Sequence, residues 1–247
     1  MNTQQQDKTA IVTGSSRGIG RAIAFRLAGD GFAVVVNYAG NQNAAREVVE
    51  QIESAGGRAM PLQGDVSKAE DVVRLFDETE RAFGEIDALV NNAGIMIPKP
   101  VAETDDATFD RTFAINVRGV FLALREASKR LRRGGRIVNF STSVTRLALP
   151  SYANYCASKA AVEVYTSIFA KELRGRDITV NAVAPGPVGT ELFLEGKTPE
   201  QVEHLAKLNP FGRLGEPEDI ARVVSFLLGP EGGWVNGQTI RVNGGMV

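Results

Sequence analysis

In the stretch SYANYCASKAAVEVY, residues 151–165, a tyrosine stands four residues before a lysine. On a helix that spacing puts Tyr155 and Lys159 on one face, a turn apart. A lone tyrosine ionises at about pH 10 and is a poor acid or base at neutral pH. An ammonium a few ångströms away favours the phenolate and would draw that value toward working pH. Such a phenol could give a proton to a carbonyl oxygen while hydride reaches the carbon, or take one from an alcohol. Tyr152 and Tyr165 have Cys156 and Phe169 at the same offset, so neither has this option. An exposed helix can carry a Tyr–Lys pair as solvated decoration, so its meaning depends on its company.

One companion is TGSSRGIG, residues 13–20, which follows an apolar run and opens a helical pattern. Gly14, Gly18 and Gly20 allow a tight turn and close approach of backbone to a pyrophosphate. Ser16, Arg17 and Ile19 complete that loop, and the helix start supplies free N–H groups and a positive dipole end. The spacing is G-x-x-x-G-x-G rather than the G-x-G-x-x-G fingerprint. Some twenty residues on, a carboxylate would grip the ribose 2′-hydroxyl of NAD. The sequence there is VNYAGNQ, with Asn37, Tyr38 and Asn41 and no acid. An acid would repel a 2′-phosphate and a guanidinium can hold it in a fork. With Arg17 inside the loop, NADP(H) is expected over NAD(H).

Apolar runs of strand length alternate with helical patterns along the chain. Strands are expected at 9–14, 33–38, 58–66, 86–94, 136–141, 178–185 and 238–245. Helices are expected at about 19–28, 44–56, 67–84, 105–131, around Tyr155, and at 216–229. Pro61 suggests an early or weak position for the third strand. Ser67 and Glu70 read as a capping box on the helix that follows. This alternation predicts one doubly wound α/β domain of the Rossmann type over residues 1–247, its mainly parallel sheet of about seven strands covered on both faces. The longest irregular segment, 186–214, follows a strand end. Ligands bind there in open α/β sheets, so it is expected to cover the substrate.

Composition narrows the function. Lys and Arg total 28 against 29 Asp and Glu, so no basic field exists to hold nucleic acid or an anionic membrane. One cysteine excludes an internal disulfide, and with one histidine it leaves no zinc-site pattern, so no metal is expected. The chain starts with the polar MNTQQQDKT and has no run near the ~20 apolar residues that span a bilayer. A soluble cytoplasmic protein is expected.

TGSSRGIG, NNAG (91–94), INVRG (115–119), STS (141–143), YCASK (155–159) and PGPVGT (185–190) occur in this order. Together they make the chain resemble the short-chain dehydrogenase/reductase family in its compact form, over about 7–247. Within that family it is most similar to 3-oxoacyl-acyl-carrier-protein reductases and related ketone reductases, whose closing residues GQTIRVNGGMV also matches. The resemblance implies that Tyr155 is the general acid/base and that Lys159 lowers its pKa while binding the nicotinamide ribose. It implies that Asn116 holds a water in a proton relay, and that Asn91, Ala93 and Gly94 line the cofactor. Asp65 and Val66 match the pair at adenine, and Pro185, Gly186, Val188 and Thr190 the stretch at the nicotinamide. The carbonyl-polarising hydroxyl, usually a serine thirteen residues before the tyrosine, falls on Thr142. Ser143 with Val144 preserves the usual serine–valine pair, so both remain candidates.

The expected activity is NADPH-dependent reduction of a ketone to a secondary alcohol. A 3-oxoacyl thioester on an acyl carrier protein is the alternative substrate, and a non-catalytic NADP(H) sensor the alternative class. KRLRR (129–133) suits a helix C-terminus and could also receive an acidic carrier. His204 and Cys156 read as bystanders, and Tyr152 as a wall of the substrate pocket. The family resemblance implies a homo-oligomer, typically a tetramer through the fourth and fifth helices and the last strand. Val117, Val120, Phe121 and Leu124 fit a well-buried helix.

Overall fold

The computed structural model describes residues 8–247; the polar stretch 1–7 lies outside them. In chain order the elements are β1 (Lys8–Val12), α1 (Gly18–Gly29), β2 (Phe32–Tyr38), α2 (Gln42–Ser54), β3 (Arg58–Gln63), α3 (Ala69–Phe83), β4 (Ile86–Asn91), α4 (Asp106–Phe113) and α5 (Gly119–Arg130). They continue with β5 (Leu131–Phe140), α6 (Val144–Leu147), α7 (Ala153–Glu172), β6 (Thr179–Pro185), α8 (Glu191–Leu194), α9 (Pro199–Ala206), α10 (Pro217–Leu228) and β7 (Thr239–Val242). The strands form one sheet in the order β3-β2-β1-β4-β5-β6-β7, every pair parallel. Parallel neighbours need crossover helices, and those helices bury both faces. Hence β2, β4 and β6 are buried along their whole length. Pro61 sits in β3 at a sheet edge, where its missing N–H breaks no second ladder.

On one face Ile23 and Leu27 of α1, Val48 and Ile52 of α2, and Ile220 and Leu227 of α10 pack over the strands. On the other, Phe76 of α3, Leu122 of α5 and Val162 of α7 meet Leu89 and Ile137. Leu89 is fully buried, and truncating such a leucine to alanine costs about 2–5 kcal/mol. Strand order reverses between β1 and β4, which opens a crevice at their carboxyl ends.

Several expectations about local structure need correction. Ser67 does not cap α3: its hydroxyl donates to Asp65 at 2.7 Å, and the helix begins after Lys68 without a side-chain cap. The long helix at 105–131 is three pieces. Asp105 caps α4 by accepting the Thr108 N–H at 2.7 Å, and one π-helical turn, Ala114–Arg118, precedes α5. That widened turn is buried at Asn116, and such turns often mark functional positions. Strand β5 begins at Leu131, five residues early, and its register against β4 shifts between Ile86 and Ala88. The segment 186–214 is not irregular but carries α8 and α9, the latter closed by a Thr198–Gln201 capping box. Phe121 is not buried: it is 40% exposed on the outer face of α5, with its ring 6.3 Å from Tyr165.

Candidate active site

The nucleotide side of the crevice is built from strand ends tied to one another. The Thr13 hydroxyl accepts the N–H groups of Asn92 and Ala93, each at 3.0 Å. The Asn92 amide returns bonds to the Thr13 and Gly14 carbonyls at 2.9 and 3.0 Å. A Cβ on Gly14, whose φ is +63°, would lie 2.9 Å from the Ala93 Cα; one on Gly20 would lie 2.5 Å from the Gly14 carbonyl oxygen. No larger residue fits either position. Beyond Gly18, helix α1 starts with no side-chain cap and no acid in its first turn. Its orphan N–H groups therefore face the crevice ready for an anion. Ser16 and Ile19 are half-exposed in this loop, and Arg17 is exposed with no side-chain bond among the described residues. A dinucleotide pyrophosphate fits this cradle.

The other side chains of the nucleotide prediction divide. Asn37 is buried, accepts the Gly14 N–H at 3.2 Å and donates to the Leu62 and Gly64 carbonyls at 3.2 and 3.1 Å. With its amide spent on backbone it braces the loop from behind rather than facing a ribose, because a buried amide must bond where it lies. Tyr38 is likewise buried, in the core beneath α1 and α2. The exposed residues past β2 are Ala39, Gly40 and Asn41, and Asn41 caps α2. No acid stands among them. Asp65 accepts the Ser67 N–H and hydroxyl, and Val66 packs on Gly119, where a Cβ would come within 2.9 Å of it. Asn91 donates to Asn139, and Asn139 to Thr166, each at 2.9 Å, a buried chain linking β4, β5 and α7. Thr13 and Asn92 were missed in the sequence; their signal was a polar residue after each of two strands that become neighbours.

On α7, Lys159 is 4% exposed and its ammonium donates to the Phe140 carbonyl at 2.7 Å. Burial pulls it down to about 8. The Tyr155 phenol is pushed up to about 12 by burial, while a hydrogen bond with the Thr142 hydroxyl acts in the opposite direction. The expected lowering of the phenol by Lys159 is therefore not what this geometry gives: Phe140 takes the ammonium, and desolvation dominates. Thr142 and Ser143 point differently. Ser143 is fully buried, donating to the Ala184 carbonyl at 2.9 Å and accepting from Asn243 at 3.0 Å. Thr142, whose hydroxyl accepts the Val144 N–H at 3.3 Å, is the one of the two that acts on the phenol, drawing its pKa down against burial.

Asn116 in the π turn exchanges bonds with the Ile95 N–H and carbonyl, both at 2.9 Å, and donates to Ser158 at 3.1 Å. A Cβ on Gly94 would sit 3.2 Å from the Asn116 oxygen and 3.3 Å from the Lys159 nitrogen, so Gly94 lets them converge. Pro185 ends β6. Gly186 packs on Asn243, Val188 bridges Gly215, and Thr190 caps α8 beside Gly18. The run 185–190 thus curves back to the glycine loop.

These residues open into a cavity of about 1020 Å³ including its mouth. Its outer wall is apolar, with Met96, Leu149, Tyr152, Phe193, Leu205 and Met246. Tyr152 meets Tyr155 edge to face, ring centroids 6.5 Å apart. Among the described residues, Lys159 is the only charged side chain in the lining. Met246 had no signal in the sequence; the chain end reaches the cavity because Asn243 is held by Ser143. His204 is exposed and outside the lining, and burial pushes the Cys156 thiol up. The KRLRR cations are engaged: Arg130 with Asp77 and Glu80, Arg132 with Asp87, Arg133 with Asp177. Among the described residues, no His, Cys, Asp or Glu group could hold a metal, and no helix is long and apolar enough to cross a membrane.

A family model described as enoyl-(acyl carrier protein) reductase matches residues 14–247. A short-chain type dehydrogenase/reductase of Picea abies is 50% identical over 97% of this chain and 92% of its own. An Arabidopsis thaliana protein, described as NADPH-dependent aldehyde reductase-like and chloroplastic, is 48% identical over 97% of this chain and 94% of its own. The crystal structure of an angucycline C-6 ketoreductase with bound NADP superposes with a TM-score of 0.91, at 41% identity, covering 97% of this chain and 95% of that one. The chain belongs to the short-chain dehydrogenase/reductase family.

Proposed function

We propose that this protein is an NADPH-dependent carbonyl reductase that converts a neutral, apolar ketone into a secondary alcohol. The observation that carries the reading is the triangle of Tyr155, Thr142 and Lys159 at the meeting point of a dinucleotide cradle and an apolar cavity. The start of α1, with Ser16, Gly18 and Ile19, would hold the pyrophosphate, and exposed Arg17 the 2′-phosphate. Lack of an acid beyond β2 supports NADPH over NADH, and the NADPH and NADP in the relatives' descriptions agree. Asp65 and Val66 would meet the adenine, Lys159 the nicotinamide ribose, and 185–190 the carboxamide. When bound, NADPH supplies the hydride.

The chain's own residues handle the oxygen. Thr142 donates a hydrogen bond to the carbonyl and draws charge onto its oxygen. Tyr155, held protonated by burial, delivers the proton to that oxygen. The Lys159 ammonium stabilises the phenolate left behind, which supplies the link between the two that the free phenol does not display. Asn116, ordered by Ile95 and Ser158, lines the route by which the proton is restored.

A free carbonyl compound is favoured over a carrier-bound thioester. Among the described residues the cavity has no second cation for a phosphate or carboxylate, and the 129–133 cations already have carboxylate partners. Leu192, Phe193 and Leu205 of α8 and α9 make that segment the substrate cover. Assembly into a homo-oligomer through α5 and α7 is part of the same reading, supported by exposed Phe121, Val164 and Ile168. The test is NADPH consumption, with NADH in parallel, against aryl and alkyl ketones, aldehydes and an acetoacetyl thioester. Turnover of free ketones with NADPH is expected. Turnover of the thioester alone would replace the substrate class, and none at all would favour a sensor.

A further inference from the structure

Tyr155 and Lys159 have a third neighbour on their face of α7, four residues further on: Glu163. The three side chains engage three consecutive residues where β5 ends. The Tyr155 phenol is acted on by the Thr142 hydroxyl, Lys159 donates to the Phe140 carbonyl, and Glu163 accepts the Ser141 hydroxyl at 2.6 Å. That distance lies in the range of a hydroxyl bonded to a carboxylate. The same carboxylate oxygen lies 3.4 Å from the Thr145 hydroxyl, whose shorter bond, 2.9 Å, goes to the Thr142 carbonyl. Glu163 thus holds the loop through Ser141, just before Thr142, and lies close to Thr145 just after it. On the far side Ser143 is pinned to Ala184 and Asn243. The hydroxyls of Ser141, Ser143 and Thr145 each donate to a partner in the fold, while that of Thr142 accepts the Val144 N–H at 3.3 Å and keeps its own proton to donate.

Resting on the reductase reading, we infer that Glu163 is a positioning residue: it holds the 141–145 loop so that the Thr142 hydroxyl meets the carbonyl oxygen. A carboxylate only accepts, so the Ser141 hydroxyl must donate to it and has one orientation. Without that acceptor a buried hydroxyl must find another partner, and the loop shifts to supply one. Displacements well under an ångström at a reacting centre are enough to slow a step that depends on alignment.

The experiment is a double-mutant cycle read as kcat for the ketone, with NADPH affinity measured by fluorescence. Glu163→Ala is expected to lower kcat by about tenfold while NADPH binding stays within about twofold. Glu163→Gln, which keeps an acceptor oxygen, is expected to recover to within about threefold of wild type. On a Thr142→Val background, Glu163→Ala is expected to add less than about twofold, because the hydroxyl it serves is gone. Ser141→Ala breaks the same bond from the other end and repeats the loss if Glu163→Ala does not fold. Losses that multiply in full with Thr142→Val, or Glu163 and Ser141 variants that match wild type, would overturn the inference. Wild-type protein that reduces no carbonyl would overturn the reductase reading instead, so the two failures are distinct.

Discussion

The two halves of the crevice are built on opposite principles. Its nucleotide half joins strand ends and a helix start through backbone: Thr13, Asn92 and Ala93 exchange bonds, and Gly14 and Gly20 bring chains closer than any Cβ permits. Its other half, the proposed substrate side, consists of α6, α8 and α9, and none of these helices contains a buried residue. One half tolerates no change in shape. The other is a set of short pieces outside the core, free to vary in side chain without disturbing it. Tyr155, Thr142 and Lys159, the residues proposed to do the chemistry, sit on the seam, on α7 and just past the end of β5.

The sharpest way to break this contrast is to overfill the rigid half. Gly20→Val puts a branched side chain where Gly14 and Asn92 already stand. It is expected to cost about 3 kcal/mol in thermal or urea unfolding and to abolish NADPH binding. A stable, NADPH-binding variant would mean that the loop can yield. On the seam, Thr142→Val is expected to reduce kcat/KM by about 100-fold with NADPH binding intact. Ser143→Ala should act chiefly on stability, by about 1 kcal/mol, because its hydroxyl is committed to Ala184 and Asn243. An inverted pattern would exchange their roles.

How far the sequence made this legible follows the same division. The glycine loop and NNAG could be read because close backbone approach restricts the residue types allowed, and that restriction is visible in the letters. The paired residues Asn37 and Tyr38 were legible as lacking an acid, but not as buried, since burial depends on which strand lies beside them. The Ser67 cap failed for a local reason: Asp65, two residues away, offered its hydroxyl a stronger acceptor. Between Thr142 and Ser143 counting could not decide, because their hydroxyl partners, Val144 for one and Ala184 and Asn243 for the other, depend on the fold. Sequence also set the Tyr155–Lys159 spacing without revealing that Phe140 would take the ammonium. The π turn at Asn116 and the return of Met246 arise from long-range contacts that no local pattern records.

The pH dependence sharpens the seam further. On the proposed mechanism reduction needs a protonated Tyr155, secure far above neutrality, and a charged Lys159, which loses its proton as pH rises through about 8. The rate of reduction is therefore expected to hold below that pH and fall above it. A rate that climbs through pH 8 would remove Lys159's charge from the mechanism. The linked stability change has the opposite sign. Between about 8 and the ordinary lysine value the unfolded chain binds the proton that the folded one has lost, so Lys159's contribution to stability rises with pH in that window. The smallest effect belongs to the cover: Leu192→Ala should raise KM for the ketone severalfold while unfolding stays within about 0.5 kcal/mol of wild type. A large stability loss there would show that the two halves are not built differently after all.

The most direct measurement is single-turnover hydride transfer from NADPH to the ketone in Tyr155→Phe, with NADPH binding followed on the same sample. The account predicts that binding persists and that transfer falls by at least about 100-fold, since the ring remains and only the proton donor is gone. Transfer at the wild-type rate with binding intact would contradict it, and would move the proton to another group in the cavity.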